Sequence, residues 1–229
     1  MPDTTTIPVN VILASNSPRR KQLLEEAGVK FTVYTGSTEV DESLDADQRS
    51  QPSEAVKKLA ERKAGSVIQD ILAENPVGLG IVIGADTTVV LDGEMLGKPY
   101  SADHAREMLS RLSGRTHEVI TGVSVWLVMI NESEEKGGDG NVSLAFRSFS
   151  ETSTVTFKEL STEDINAYVA TGETIDKAGA YAIQGKGRRL VESYDGDFNN
   201  IVGLPVDTLL KNFPEIMQET IEAEVKPKE

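Results

Sequence analysis

The sequence predicts an α/β protein built on a mixed sheet, and three observations carry that prediction. Short apolar runs of strand type alternate with segments of helical periodicity along the chain. One pair of long β-branched runs flanks a single acidic, glycine-rich stretch, which marks an antiparallel hairpin within the alternation. Of the 229 residues, 38% are hydrophobic and 26% charged, ordinary values that supply one sizeable core.

Each element has its own warrant. Residues 9–14 form a short apolar run, read as a buried strand. Pro18 sits where a helix opens, residues 19–27 are helical in pattern, and Gly28 closes them. Residues 29–34 are β-branched and aromatic, a second strand. Residues 52–75 place apolar side chains at 56, 59, 60, 64, 67, 68, 71 and 72, the stripe of an amphipathic helix. A long apolar run fills 81–91, and 102–112 is helical. Residues 119–130 and 143–157 make the hairpin around 131–141 (NESEEKGGDGN), which has nothing to bury and reads as a solvated loop. Residues 162–171 are helical, with Ser161 as N-cap and Asp164 placed for a near capping box. A short strand at 201–204 and a last helix at 205–212 follow, and 219–229 reads as a frayed tail.

Composition narrows the function. The net charge of −14 repels duplex nucleic acid and anionic lipid, but leaves room for a small phosphorylated ligand at a local basic site. Without cysteine there is no disulfide, thiolate zinc site or thiol nucleophile, and two histidines cannot make a three-histidine metal site. The first residues lack the basic region and apolar run of a signal peptide, and no apolar stretch reaches the ~20 residues of a membrane helix. The expectation is a cytoplasmic globular protein with no nucleic-acid or membrane partner.

Five segments could carry chemistry. In the first, Ser15, Ser17 and Pro18 lead into Arg19, Arg20 and Lys21. Cations in a first helical turn oppose the helix dipole, so three together point to an anion at that end. The plainer reading is a capped helix with solvated basic residues. In the second, Asp86 interrupts the run at 81–91. A carboxylate there must be paired, bound to metal or placed at the strand's open end, and Gly84 and Ala85 clear space for a close approach. In the third, Lys63 lies on the apolar stripe of its helix, where it snorkels outward or reaches a buried anion. The fourth is Lys98 between Gly97 and Pro99. The fifth is 176–187 (DKAGAYAIQGKG), whose glycines and small residues suit a loop close to a ligand, with Gln184 able to read a base edge. A phosphate-binding P-loop, a zinc-protease helix and a serine-hydrolase elbow are each missing a required residue.

Together these segments resemble the Maf family of nucleotide pyrophosphatases. The resemblance runs through LASNSPRRKQLL (13–24), VDE (40–42), LAERKA (59–64), IGADTTV (83–89), LGKP (96–99), LSGRTHEVITGV (112–123), DKAGAYAIQGKG (176–187) and NNIVGLP (199–205). It implies a two-lobed, inosine-triphosphatase-like fold with a long twisted mixed sheet and a nucleotide cleft. The domain would span 11–213, with an extension at 1–10 and a tail at 214–229. It implies hydrolysis of a nucleoside triphosphate to the monophosphate and pyrophosphate with a divalent metal, Mg²⁺ or Mn²⁺. Asp86, Lys98 and Glu42 are then the candidate catalytic residues. Ser15, Ser17, Arg19, Arg20, Lys63, Thr87 and Gln184 are the candidate substrate contacts. Asp86 and Glu42 are the candidate metal ligands, with Asp86 as base preferred over Asp86 as ligand alone. Arg19, Thr87 and Gln184 match the dTTP/UTP branch rather than the 7-methyl-GTP branch. The resemblance also implies a homodimer, and it leaves two alternatives: a nucleotide-binding regulator of septum formation, or a 7-methyl-GTP-type pyrophosphatase.

Overall fold

The computed structural model describes residues 4–74, 78–131 and 141–224. The solvated loop expected at 131–141 therefore falls, for residues 132–140, outside the described residues. In chain order the elements are β1 (Thr4–Leu13), α1 (Pro18–Glu26), β2 (Thr32–Val33), α2 (Ala46–Arg49), α3 (Pro52–Glu74), β3 (Gly78–Leu91), β4 (Glu94–Leu96), α4 (Ala102–Leu112), β5 (Thr116–Ile130), β6 (Val142–Phe157), α5 (Thr162–Val169), β7 (Val191–Asp195), α6 (Phe198–Val202), α7 (Val206–Asn212) and β8 (Thr220–Glu224). The sheet runs β2-β1-β3-β5-β6-β7, with β4 paired to β3 and β8 to β1. The three strands β2, β1 and β3 are parallel, whereas β4 through β8 pair antiparallel. This is the mixed α/β fold expected from the alternation.

Strand alternation splits the core into two faces. Odd positions of β3 and β5 (Ile81, Ile83, Val89, Val123, Val125) join α1, α4, α5 and α7 in the main core. Even positions (Val82, Val128, Ile130) meet α3 through Ala64, Val67 and Ile68. That helix sits unusually close to the sheet because the contact is made of small residues. A Cβ on Gly84 would lie 2.2 Å from the Ala60 carbonyl oxygen, and one on Gly122 would lie 2.4 Å from the Val56 carbonyl carbon. The space that Gly84 clears is thus filled by helix backbone, and this approach lets Lys63 reach the middle of β3.

The expected helix over 162–171 forms with both arms of its capping box, Ser161 and Asp164. Three expectations change. Residues 201–204 do not form a strand: Asp197 caps α6 by accepting from the Asn199 N–H at 2.8 Å, and this local cap outweighs the β-branched pair that follows. The strand expected over 29–34 shrinks to Thr32–Val33, because only two residues pair with the end of β1. Within the tail expected to fray over 219–229, Thr220–Glu224 instead form β8, antiparallel to residues 4–8, and 225–229 fall outside the described residues. Residues 4–8 and 220–224 thereby satisfy each other's backbone groups, which neither segment does alone.

The decisive feature is a gap in the sheet. On one side β5 pairs with β3 along residues 78–90. On the other, β1 pairs only as far as Ile83, and β4 begins at Val89. Residues 84–88 of β3 have no strand on that side among the described residues, and the chain leaving β1 turns there directly into α1.

Candidate active site

The gap opens into a cleft of about 1090 Å³. All ten sequence-predicted residues line it: Ser15, Ser17, Arg19 and Arg20 from the start of α1, Glu42 from the loop before α2, Lys63 from α3, Asp86 and Thr87 from β3, Lys98 after β4, and Gln184 from the 176–187 loop. The parts of the chain that carry them are up to 169 positions apart (184 − 15).

At the centre is an ion-pair chain. Lys63 Nζ lies 2.5 Å from Asp86 Oδ1 and 2.7 Å from Glu42 Oε1, and Lys98 Nζ lies 3.6 Å from Glu42 Oε2. Lys63 and Asp86 are mostly buried, with side chains 17% and 16% exposed, so this pair is weakly screened. Asp86 sits mid-strand rather than at a strand end, and it is tolerated there because it is paired and faces the gap. Partial burial works to raise the Glu42 carboxyl, but hydrogen bonding and charge from Lys63 and then Lys98 outweigh it and hold Glu42 below the usual carboxylate range.

Arg20 is used differently from Arg19. Its guanidinium donates to the Gly203 carbonyl at 2.8 Å, to Ser15 Oγ at 3.2 Å and to Thr87 Oγ1 at 3.1 Å. Burial lowers its pKa against the upward pull of Asp86. Thr87 Oγ1 also bonds Thr121 Oγ1 at 2.9 Å, and Thr121 donates to the Asn200 carbonyl. Ser17 caps α1 by accepting from the Arg20 N–H, and Ser15 Oγ accepts from the Ser17 N–H. The hydroxyls of Ser15, Ser17 and Thr87 therefore build the wall in which Arg20 is fixed. The capped helix and the anion site at that end are one construction, with Arg19 left to face the cleft.

Sequence reasoning passed over Lys177, which lines the cleft with its side chain 13% exposed and pairs with Asp176 at 2.6 Å. The signal was the DK pair opening the 176–187 segment. The same loop is shaped by Gly187, where a Cβ would meet the Ala182 carbonyl at 2.1 Å, and by Tyr168, whose hydroxyl accepts from the Ala182 N–H at 3.1 Å. Tyr181 of this loop meets buried His117 through its hydroxyl at 2.7 Å from Nε2.

Desolvation pushes His117 down to about 4 from its usual 6.5. The folded state thus holds it neutral where the unfolded chain takes up a proton. Its contribution to stability is full above pH 6.5, falls as pH drops from 6.5 to about 4, and is flat below. The span is about 3 kcal/mol. Urea unfolding at half-unit pH steps should show a shallower decline in that window for His117→Gln than for the wild type. Equal slopes would mean that His117 is not held neutral.

The fold and the cleft define an enzyme-like site for a polyanion on an α/β scaffold: five cations, Arg19, Arg20, Lys63, Lys98 and Lys177, line a sheet gap beside a helix N-terminus, with Glu42 and Asp86 among its acidic groups. The chain belongs to the Maf family: the profile described as "Maf-like protein" matches residues 10–216. A relative from Bacillus velezensis named dTTP/UTP pyrophosphatase is 46% identical over 205 residues, which is 90% of this chain and 95% of that protein. Relatives of the same name from Bacillus thuringiensis subsp. konkukian and Clostridioides difficile are each 45% identical over 201 residues, covering 88% of this chain and 92% of theirs. None of the described helices is long and apolar enough to cross a membrane.

Proposed function

We propose that this protein hydrolyses nucleoside triphosphates, dTTP and UTP foremost, to the monophosphate and pyrophosphate. The carrying observation is Asp86, a mostly buried carboxylate at the sheet gap, within 2.5 Å of one of several cations that line the same cleft. The relatives' names agree with that chemistry. Cleaving an α–β phosphoanhydride needs its charge neutralised and a water positioned in line. Arg19, Lys63 and Lys98 supply charge around the phosphates, with Arg20 bracing the α1 end. Asp86 accepts a proton from the attacking water. An arriving triphosphate competes with Asp86 and Glu42 for Lys63, which frees the carboxylates to act.

The residues fit a divalent ion. Asp86 and Glu42 converge on one point, where Lys63 Nζ now balances them both. No group of three or more acidic or histidine side chains that could hold a metal occurs among the described residues. Such a site suits Mg²⁺ or Mn²⁺ bound by one or two carboxylates, with substrate phosphates and water completing the shell. Bound by Asp86 and Glu42, the ion would supply neutralisation of phosphate charge. A cytoplasmic enzyme acting as a homodimer without nucleic acid completes the reading, on the strength of the charge of −14 and the family resemblance.

The test is pyrophosphate release from a panel of dTTP, UTP, CTP, GTP and 7-methyl-GTP with Mg²⁺, Mn²⁺ or EDTA. Turnover highest on dTTP and UTP and abolished by EDTA is the expected result. Tight binding without pyrophosphate release would instead favour a nucleotide-binding regulator. Gln184, which has no protein partner for its amide among the described residues, is the base reader in this proposal. Its amide can donate to O4 and accept from N3–H of uracil or thymine. Gln184→Glu faces O4 with an acceptor and should cost about 1–3 kcal/mol, roughly five- to one-hundred-and-sixty-fold in kcat/KM on dTTP and UTP. The loss should be smaller or reversed on cationic 7-methyl-GTP. An unchanged ranking across the panel would remove Gln184 from base reading.

A further inference from the structure

The segment between β2 and α2 carries Glu42 on irregular backbone, yet one stripe of α3 holds it along its length. Arg62, Ser66 and Asp70 recur at four-residue spacing and so share a helix face. Asp70 accepts from the Tyr34 hydroxyl at 3.0 Å, from the Ser37 N–H at 2.6 Å and from the Ser37 hydroxyl at 2.7 Å. Ser66 Oγ donates to the Thr38 carbonyl at 3.0 Å. Gly36 is needed in between, since a Cβ there would lie 2.1 Å from Ser66 Oγ.

The grip is tightest around Glu42 itself. Arg62 Nη1 donates to the carbonyls of Asp41 and Ser43, each at 2.9 Å, and these are the two that flank Glu42. Asp41 Oδ1 accepts from the Ser43 N–H at 2.8 Å, which closes an Asx turn with Glu42 at its centre. The next residue on the helix, Lys63, reaches to the Glu42 carboxylate at 2.7 Å. Consecutive residues of α3 thus hold the backbone of Glu42 and its side chain. One guanidinium nitrogen carries two hydrogens in a fixed plane, which suits two carbonyls at a set separation.

We propose that Arg62 is the positioning residue for Glu42: it captures the two flanking carbonyls and so sets the carboxylate against Lys63 and Lys98. The proposal rests on the reading of Glu42 as part of a triphosphate-hydrolysing site. Arg62 touches no reacting atom and acts through the turn.

Arg62→Met keeps most of the side-chain stem and removes the donors. In the wild-type background it should lower kcat about tenfold, as misplacement of a site group does. In a Glu42→Gln background the same change should cost less than about twofold, because the group it positions is already disabled. Hydrogen exchange of full-length protein should rise in peptides covering 37–45 and stay unchanged in those covering α3. An equal loss in both backgrounds, no loss in either, or exchange rising equally across α3 would each overturn the proposal. The exchange arm does not depend on turnover. Wild-type protein that releases no pyrophosphate from any triphosphate would sink the functional reading, while the exchange comparison would still decide whether Arg62 holds the turn.

Discussion

Asp86→Asn should lower kcat by about 10²–10⁴-fold, the usual range for losing a general base. The amide keeps the shape of the carboxylate and its reach to Lys63, but it cannot take a proton from water. Lys63 keeps its second partner, Glu42 at 2.7 Å, so no cation is stranded and the fold should survive. With the divalent ion saturating, removing a negative charge from the cleft also eases the approach of a polyanion, so KM should hold or fall. A fall in kcat without a rise in KM separates lost chemistry from lost binding. The measurement is steady-state pyrophosphate release beside circular-dichroism unfolding of the same preparation. A variant that keeps more than about a tenth of the wild-type rate would take Asp86 out of the mechanism.

Gly84→Ala should destabilise the protein by about 3 kcal/mol, the upper end of overpacking effects. Strand propensity works the other way, since Ala replaces Gly inside a strand with a gain of about 0.5–1 kcal/mol. The clash wins because the new Cβ would lie 2.2 Å from the Ala60 carbonyl oxygen and 3.0 Å from the Ala64 nitrogen, both backbone atoms of α3. No side chain can swing aside, so the helix must lift. Lifting α3 also draws Lys63 away from Asp86, so activity should fall by more than the loss of folded protein explains. Urea midpoints and kcat of the still-folded fraction test this. As a control, a Cβ on Gly65, in the same helix, meets nothing within 4 Å, and Gly65→Ala should be neutral or stabilising. Equal midpoints for the two variants would mean that the close approach at Gly84 is not tight.

Much of this protein was legible residue by residue. The four- and three-residue spacing of Val56, Ala60, Ala64 and Val67 announced one face of α3, and the capping box at Ser161 and Asp164 opened α5 where it was expected. Lys63 on an apolar stripe and Asp86 in an apolar run each broke a local pattern. The structure shows that each is the other's partner, 23 positions apart. The short strand expected at 201–204 failed for a local reason that was also present in the chain, the Asp197 cap four residues upstream.

What the sequence determined by itself was the set of elements with strong periodicity or caps and the chemical types gathered for the cleft, because those signals act within a turn or two of chain. The tertiary structure alone decided which groups meet. It left one side of residues 84–88 of β3 without a strand among the described residues, tied Arg20 to Gly203 across 183 positions, paired residues 4–8 of β1 with β8, and set Arg62 behind Glu42. Pairing of that kind depends on where whole elements come to rest, which the packing of Gly84 and Gly122 against α3 controls. A buried polar group takes whatever partner that packing brings within reach, so neighbouring residues in the chain carry no record of it.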